Sequence, residues 1–115
     1  MAKNLKPDYI KKMLKMEAPN GYKFDVANYL YNPAYGNEYP AFHKVIAETE
    51  TTQTIRRVYY IKHYDGTGEY KAETFTRKKD GDAWQIVKGR TEEILEAANR
   101  YNVKKLLTFC VDTAA

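Results

Sequence analysis

Two histidines, His43 and His63, and one cysteine, Cys110, are the side chains of this sequence best suited to nucleophilic or transition-metal chemistry. No CxxC, HxxxH or HExxH spacing joins them. A zinc site would need ligands gathered from distant positions, so neither a metal nor a cofactor is expected. Cys110 lies in the apolar stretch from Leu106 to Val111, which predicts a buried, inert thiol rather than a Cys–His nucleophile. Phosphate-cradling glycine loops of the GxxxxGK[ST] or GxGxxG type are absent, and Asp65-Gly66-Thr67-Gly68 reads as a hairpin turn. Helix capping and a solvated face account for Glu92, Glu93 and Glu96, and a polar loop accounts for Glu48 and Glu50. No carboxylate pair is left for acid–base work.

Two other constellations point to binding. The first is Arg56-Arg57-Val58-Tyr59-Tyr60-Ile61-Lys62-His63-Tyr64, a strand in which cations alternate with aromatic rings. With Arg77 from the next strand, Arg56, Arg57 and Lys62 would neutralise phosphates or acidic groups, while Tyr59 and Tyr60 stack and His63 adds a further polar contact. The second is the loop Tyr29 to Pro40, where Tyr31, Tyr35 and Tyr39 stand among Asn, Gly and Pro as rigid amphipathic anchors. Each has a structural reading beside the functional one. Tyr59 and Ile61 would be core with the cations on a solvated face, and the loop tyrosines would pack back onto the sheet. The same hairpin residues also suit a small ribonuclease that works through Arg, Lys and Tyr, and in composition they are similar to the bacterial mRNA-interferase toxins.

These residues need elements to position them. Pro7 to Met16 reads as a short amphipathic helix, with Pro7 at its first position and Ile10, Met13 and Leu14 on one face. From Tyr22 to Lys88 the period is two. Strands are predicted from Tyr22 towards Leu30, over Phe42 to Glu48, Ile55 to Tyr64, Glu69 to Lys78 and Asp82 to Lys88. Placing Tyr64 opposite Glu69 and Lys79 opposite Asp82 stacks Arg56 with Arg77 and Trp84, then Val58 with Phe75 and Ile86, then Tyr60 with Glu73 and Lys88. Thr91 caps a predicted helix with Glu92 and Glu93 in its first turn and Ile94, Leu95, Ala98 and Tyr101 on its buried face. Val103 to Val111 is either a sixth strand or a second helical piece burying Leu106, Leu107 and Phe109, with helix slightly favoured.

The expected fold class is therefore α+β, an antiparallel β-meander sheet of four to six strands flanked by an N-terminal and a C-terminal helix. A single domain over 1–111 with a disordered tail over 112–115 suits a chain of 115 residues. Apolar residues at 43% and charged residues at 30% describe a folded globular chain, and no apolar run is long enough for a membrane span. Met-Ala-Lys-Asn-Leu-Lys has no apolar stretch behind it, so no secretory signal is expected, and the lone cysteine points to a reducing cytoplasm. Eleven tyrosines against four phenylalanines point to half-exposed aromatic sites, and the net charge of +4 is compatible with a polyanionic partner but too small to demand one. In size, basicity and tyrosine content the chain is similar to the small accessory proteins of phages and conjugative elements, CRISPR inhibitors among them. The expected function is binding without catalysis. The partner would be a nucleic acid or a nucleic-acid-binding protein and not a membrane, and a homodimer is allowed. The alternatives are a stoichiometric inhibitor of a nucleic-acid-processing complex and the His-poor ribonuclease.

Overall fold

The computed structural model describes residues 11–12, 14–25, 39–80, 83–86 and 91–112. Among these, one antiparallel sheet dominates. Its strands are β1 (Lys23–Phe24), β2 (Phe42–Glu48), β3 (Thr52–Lys62), β4 (Gly68–Asp80), β5 (Ala83–Ile86) and β6 (Thr91–Ala97). They pair in the order β1-β2-β3-β4-β5, and β6 joins the same side of β4 as β5, further along it. The predicted meander is therefore present. β3 and β4 form its spine: β3 is dense in Ile, Val, Tyr and Thr, the side chains that fit a pleated surface, and β4, which is more charged, sets Tyr70, Ala72 and Phe75 against it. No described helix is long and apolar enough to cross a membrane.

The register differs from the expected one by three residues. Tyr60 lies opposite Tyr70 and Lys62 opposite Gly68, where the turn residues had suggested Tyr64 opposite Glu69. The cause is the turn. His63 N–H donates to Thr67 O at 2.8 Å and closes a three-residue loop, Tyr64-Asp65-Gly66, with Gly66 at φ 91° supplying the left-handed residue. An odd shift exchanges the faces of β4 relative to β3. Arg56 consequently sits opposite Thr74, and Arg77 faces Gln53 on the other side of the sheet.

The predicted C-terminal helix from Thr91 is a strand. Helix-like capping residues lost to the long edge of β4, whose backbone groups over Glu69–Thr74 would otherwise lack partners, and β6 supplies them. The chain then turns into a short helix, α1 (Val103–Leu107), in which the Asn102 side chain accepts from Lys104 N at 2.9 Å and Lys105 N at 3.1 Å. The helical preference for this stretch was right. Of the predicted N-terminal helix, Lys11, Lys12 and Leu14 are helical, and its start lies outside the described residues. Asp112, expected in a disordered tail, is placed by an ion pair with Lys44.

Candidate binding surface

Strand alternation divides the candidate residues between two faces. On the first face Phe42, Val58, Tyr60, Tyr70 and Ala72 build the core with Tyr22, Phe24, Leu106 and Cys110. Rings meet edge to face or tilted around Tyr60, whose centroid is 5.1 Å from those of Tyr39 and Tyr70 and 5.7 Å from that of Tyr101. The hydroxyls find backbone oxygens: Tyr60 donates to Ala98 O at 2.8 Å, Tyr70 to Arg100 O at 3.3 Å and Tyr101 to Pro40 O at 3.3 Å. Burial, then the neighbouring Tyr39 and Tyr70, push the Tyr60 phenol above its ordinary value. Gly68 is obligatory here, because a Cβ would come within 2.0 Å of the Tyr60 hydroxyl.

Arg56 belongs to this interior as well. It is 6% exposed, and its Nη1 donates to the Tyr22 hydroxyl at 2.9 Å and to Phe109 O at 2.8 Å. Arg56 and Tyr60, both expected to contact a partner, are thus corrected to core residues that tie β3 to the C-terminal segment. Tyr39 packs on the tyrosine cluster, while Tyr31 and Tyr35 lie outside the described residues. Cys110 is buried, and burial pushes its thiol up to about 12 against the opposing pull of Arg56. It lies on the core side, whereas His43 points to the opposite face. The two do not form a dyad.

The second face carries a charged row that crosses four strands: His43, Arg57, Glu73 and Glu92 stand directly opposite one another in turn. Arg57 donates from Nε to Asp25 at 2.5 Å and from Nη1 to Glu73 at 2.6 Å, and its guanidinium stands 5.0 Å from the Phe75 ring centroid. Both carboxylates are buried, at 2% for Asp25 and 5% for Glu73. His43 Nδ1 lies 3.5 Å from the same Asp25 oxygen. Tyr59 hydrogen-bonds Glu92, which also pairs with Lys71 at 2.8 Å. Burial first, then Glu73 and Glu92, raise the Tyr59 phenol well above its ordinary range. Arg77 donates to Gln53 Oε1 at 2.9 Å, and burial lowers its value. This is an internally neutralised network with no local signature, because Asp25 and Glu73 are 48 positions apart.

Of the basic-aromatic run, the part left exposed is the tip of the β3–β4 hairpin. Tyr64 is completely exposed, at 112%. Its loop is braced from below: Asp65 Oδ1 accepts from Thr67 N at 2.9 Å and from Thr67 Oγ1 at 2.6 Å, which holds the Asp65 carboxyl below its ordinary value. Lys62 donates its ammonium to Asn99 O, and His63 lies 3.2 Å from Glu69. Ala98 N–H donates to Gly68 O at 3.0 Å, so the exposed Arg100 follows a segment that runs beside the hairpin base. Lys62 and His63 were named as contacts, whereas Tyr64 closed the same basic-aromatic run without a role of its own. The signal was available, since a residue just before Asp-Gly in a hairpin sits at its apex.

The fold defines a small antiparallel-sheet protein with a projecting, braced hairpin. Comparison with family models, curated proteins and solved structures returned no match for this chain.

Proposed function

We propose that the chain is a non-catalytic binding protein that engages a protein partner through the tip of the β3–β4 hairpin. The observation that carries this reading is Tyr64, a wholly exposed aromatic side chain on a loop already fixed by its own hydrogen bonds. A rigid tyrosine gives a large contact at small ordering cost, which is the usual character of a protein-binding anchor. The hairpin cations favour a protein over a free polyanion, because Arg56, Arg57, Arg77 and Lys62 all have internal acceptors. The ribonuclease reading is disfavoured because its groups fall on opposite faces of the sheet, Arg56 and Tyr60 on one and Arg57 and Arg77 on the other. A component of nucleic-acid machinery is the partner class suggested by the likeness to phage and mobile-element accessory proteins. His63 and Arg100 keep a nucleic acid as the second reading.

Photo-crosslinking separates the two. A benzoylphenylalanine placed at Tyr64 and irradiated in expressing cells should give a discrete adduct that survives nuclease and disappears with protease. An adduct destroyed by nuclease would establish the nucleic-acid reading instead. With no adduct at Tyr64, the tip is not the contact.

A further inference from the structure

A second surface lies away from the hairpin tip, on the edge formed by β5 and β6. β3 pairs along one side of β4, and the other side is taken by β6 over Glu69–Thr74 and by β5 over Arg77–Asp80. β5 and β6 thus lie end to end, and among the described residues no strand pairs with the outer side of either. β6 is exposed or half-exposed at every position. Ile94 is 62% exposed and Ile86 46%. They stand opposite Lys71 and Arg77, so both project from the same face, roughly 20 Å apart at ~3.3 Å per residue. An edge with two bare isoleucines is a template for another strand.

Charge selects the occupant. In a chain of net charge +4, β6 carries Glu92, Glu93 and Glu96 and no Lys or Arg. Lys71 and Lys105 pair with Glu92 and Glu96, yet those side chains stay 47% and 42% exposed, and Glu93 is exposed too. Two copies joined edge to edge along β6 would bring together two strands that each carry three carboxylates and no cation, which disfavours self-association. The same carboxylates favour a strand bearing cations. We propose that the outer edge of β6 accepts an extended, basic segment of another protein by strand addition. Main-chain hydrogen bonds give the pairing, an apolar residue covers Ile94, and Lys or Arg stands beside Glu92 and Glu93.

The probe is a ten-residue peptide of alternating lysine and valine, followed by amide NMR on the whole chain. The expected result is a saturable set of shifts confined to Thr91–Ala97 and its β4 neighbours, with slowed amide exchange in β6. Replacing the peptide lysines by glutamate should weaken binding at least about tenfold, and so should Ile94→Lys, whose exposed position leaves the remaining amide spectrum in place. Tyr64→Ala should leave this binding unchanged, which separates it from the hairpin-tip reading. Absence of shifts in β6, or shifts centred elsewhere, overturns the proposal. So does a concentration-dependent dimer by analytical ultracentrifugation that Ile94→Lys abolishes, since the occupant would then be a second copy.

Discussion

Arg56 and Arg57 are consecutive on β3, and each lies mostly out of water, but their surroundings have nothing in common. Arg56 points into the tyrosine-lined core and is held by two neutral oxygens, the Tyr22 hydroxyl and the Phe109 carbonyl. Arg57 points to the opposite face and is held by two buried carboxylates, Asp25 and Glu73. The neighbours on β2 repeat the contrast, with Lys44 opposite Arg56 and His43 opposite Arg57. One step along a strand turns the same side chain from a polar brace between segments into the centre of an ion network. A basic run in a sequence is therefore not a basic surface, because the pleat sends alternate charges to faces with different demands.

The largest expected effect breaks the charged side of the contrast. Arg57→Ala removes the guanidinium that bridges two buried carboxylates and should cost about 3–5 kcal/mol in urea unfolding, since breaking a buried ion pair from one side is expensive. Arg57→Ala combined with Asp25→Asn and Glu73→Gln should recover much of the loss. A single variant within about 1 kcal/mol of the parent would mean that the network contributes little. Arg56→Met should cost less, about 1–3 kcal/mol, because it takes a donor from a hydroxyl and a carbonyl rather than the bridging cation from two carboxylates. If Arg56→Met proved the costlier of the two, the contrast between the faces would be wrong.

How far the sequence reveals this arrangement depends on how local the cause is. β2 has the predicted limits, Phe42 and Glu48, and α1 buries Leu106 as expected, because side-chain pattern and capping chemistry lie within a few residues. The register of β3 against β4 hangs on where the loop closes. Tyr64, Asp65 and Gly66 make a three-residue loop, and one odd slip moved Arg77 to the other face. β6 was misread because Thr91-Glu92-Glu93 follows helix-start chemistry closely, while the deciding factor, the open side of β4, is remote in sequence. The tyrosine excess likewise points to aromatic sites with hydroxyl partners. That the partners are carbonyls of Ala98, Arg100 and Val111 depends on where the last segment folds.

Each face also holds an acid that burial keeps protonated, so alkaline titration sharpens the comparison. Cys110 on the Arg56 side is pushed up to about 12, and Tyr59 on the Arg57 side is raised as well. For both, folding favours the protonated form. Their contribution is complete below the ordinary values of 9.0 and 10.0 and is lost as pH rises through the folded ones. Stability should be flat across neutral pH and fall in strong alkali, with Tyr59→Phe shifting the fall upward. At pH 8 the native thiol, pushed up to about 12 and buried, should react with a disulfide reagent at least about a hundredfold more slowly than after unfolding. Arg56→Met should slow it further, because Arg56 is the group pulling the thiol down. Faster labelling in that variant would show that packing around Cys110, and not charge, controls the thiol.

The smallest effect tests how far the contrast extends along β2. Lys44 stands beside Arg56 as His43 stands beside Arg57, but its partner Asp112 is 66% exposed at the end of the C-terminal segment. Water and salt screen such a pair, so Asp112→Asn should cost no more than about 0.5 kcal/mol, and less at high ionic strength. The segment does not rely on that ion pair. Asn20 Nδ2 donates to Cys110 O at 2.7 Å, the Tyr22 hydroxyl donates to Val111 O at 3.0 Å, and Arg56 holds Phe109 O. Asn20→Ala should therefore loosen residues 109–112 more than Asp112→Asn does, and amide exchange at Cys110 and Val111 measures it. If the order were reversed, the core-facing side would depend on charge pairing as the opposite face does, and the difference between Arg56 and Arg57 would be one of degree.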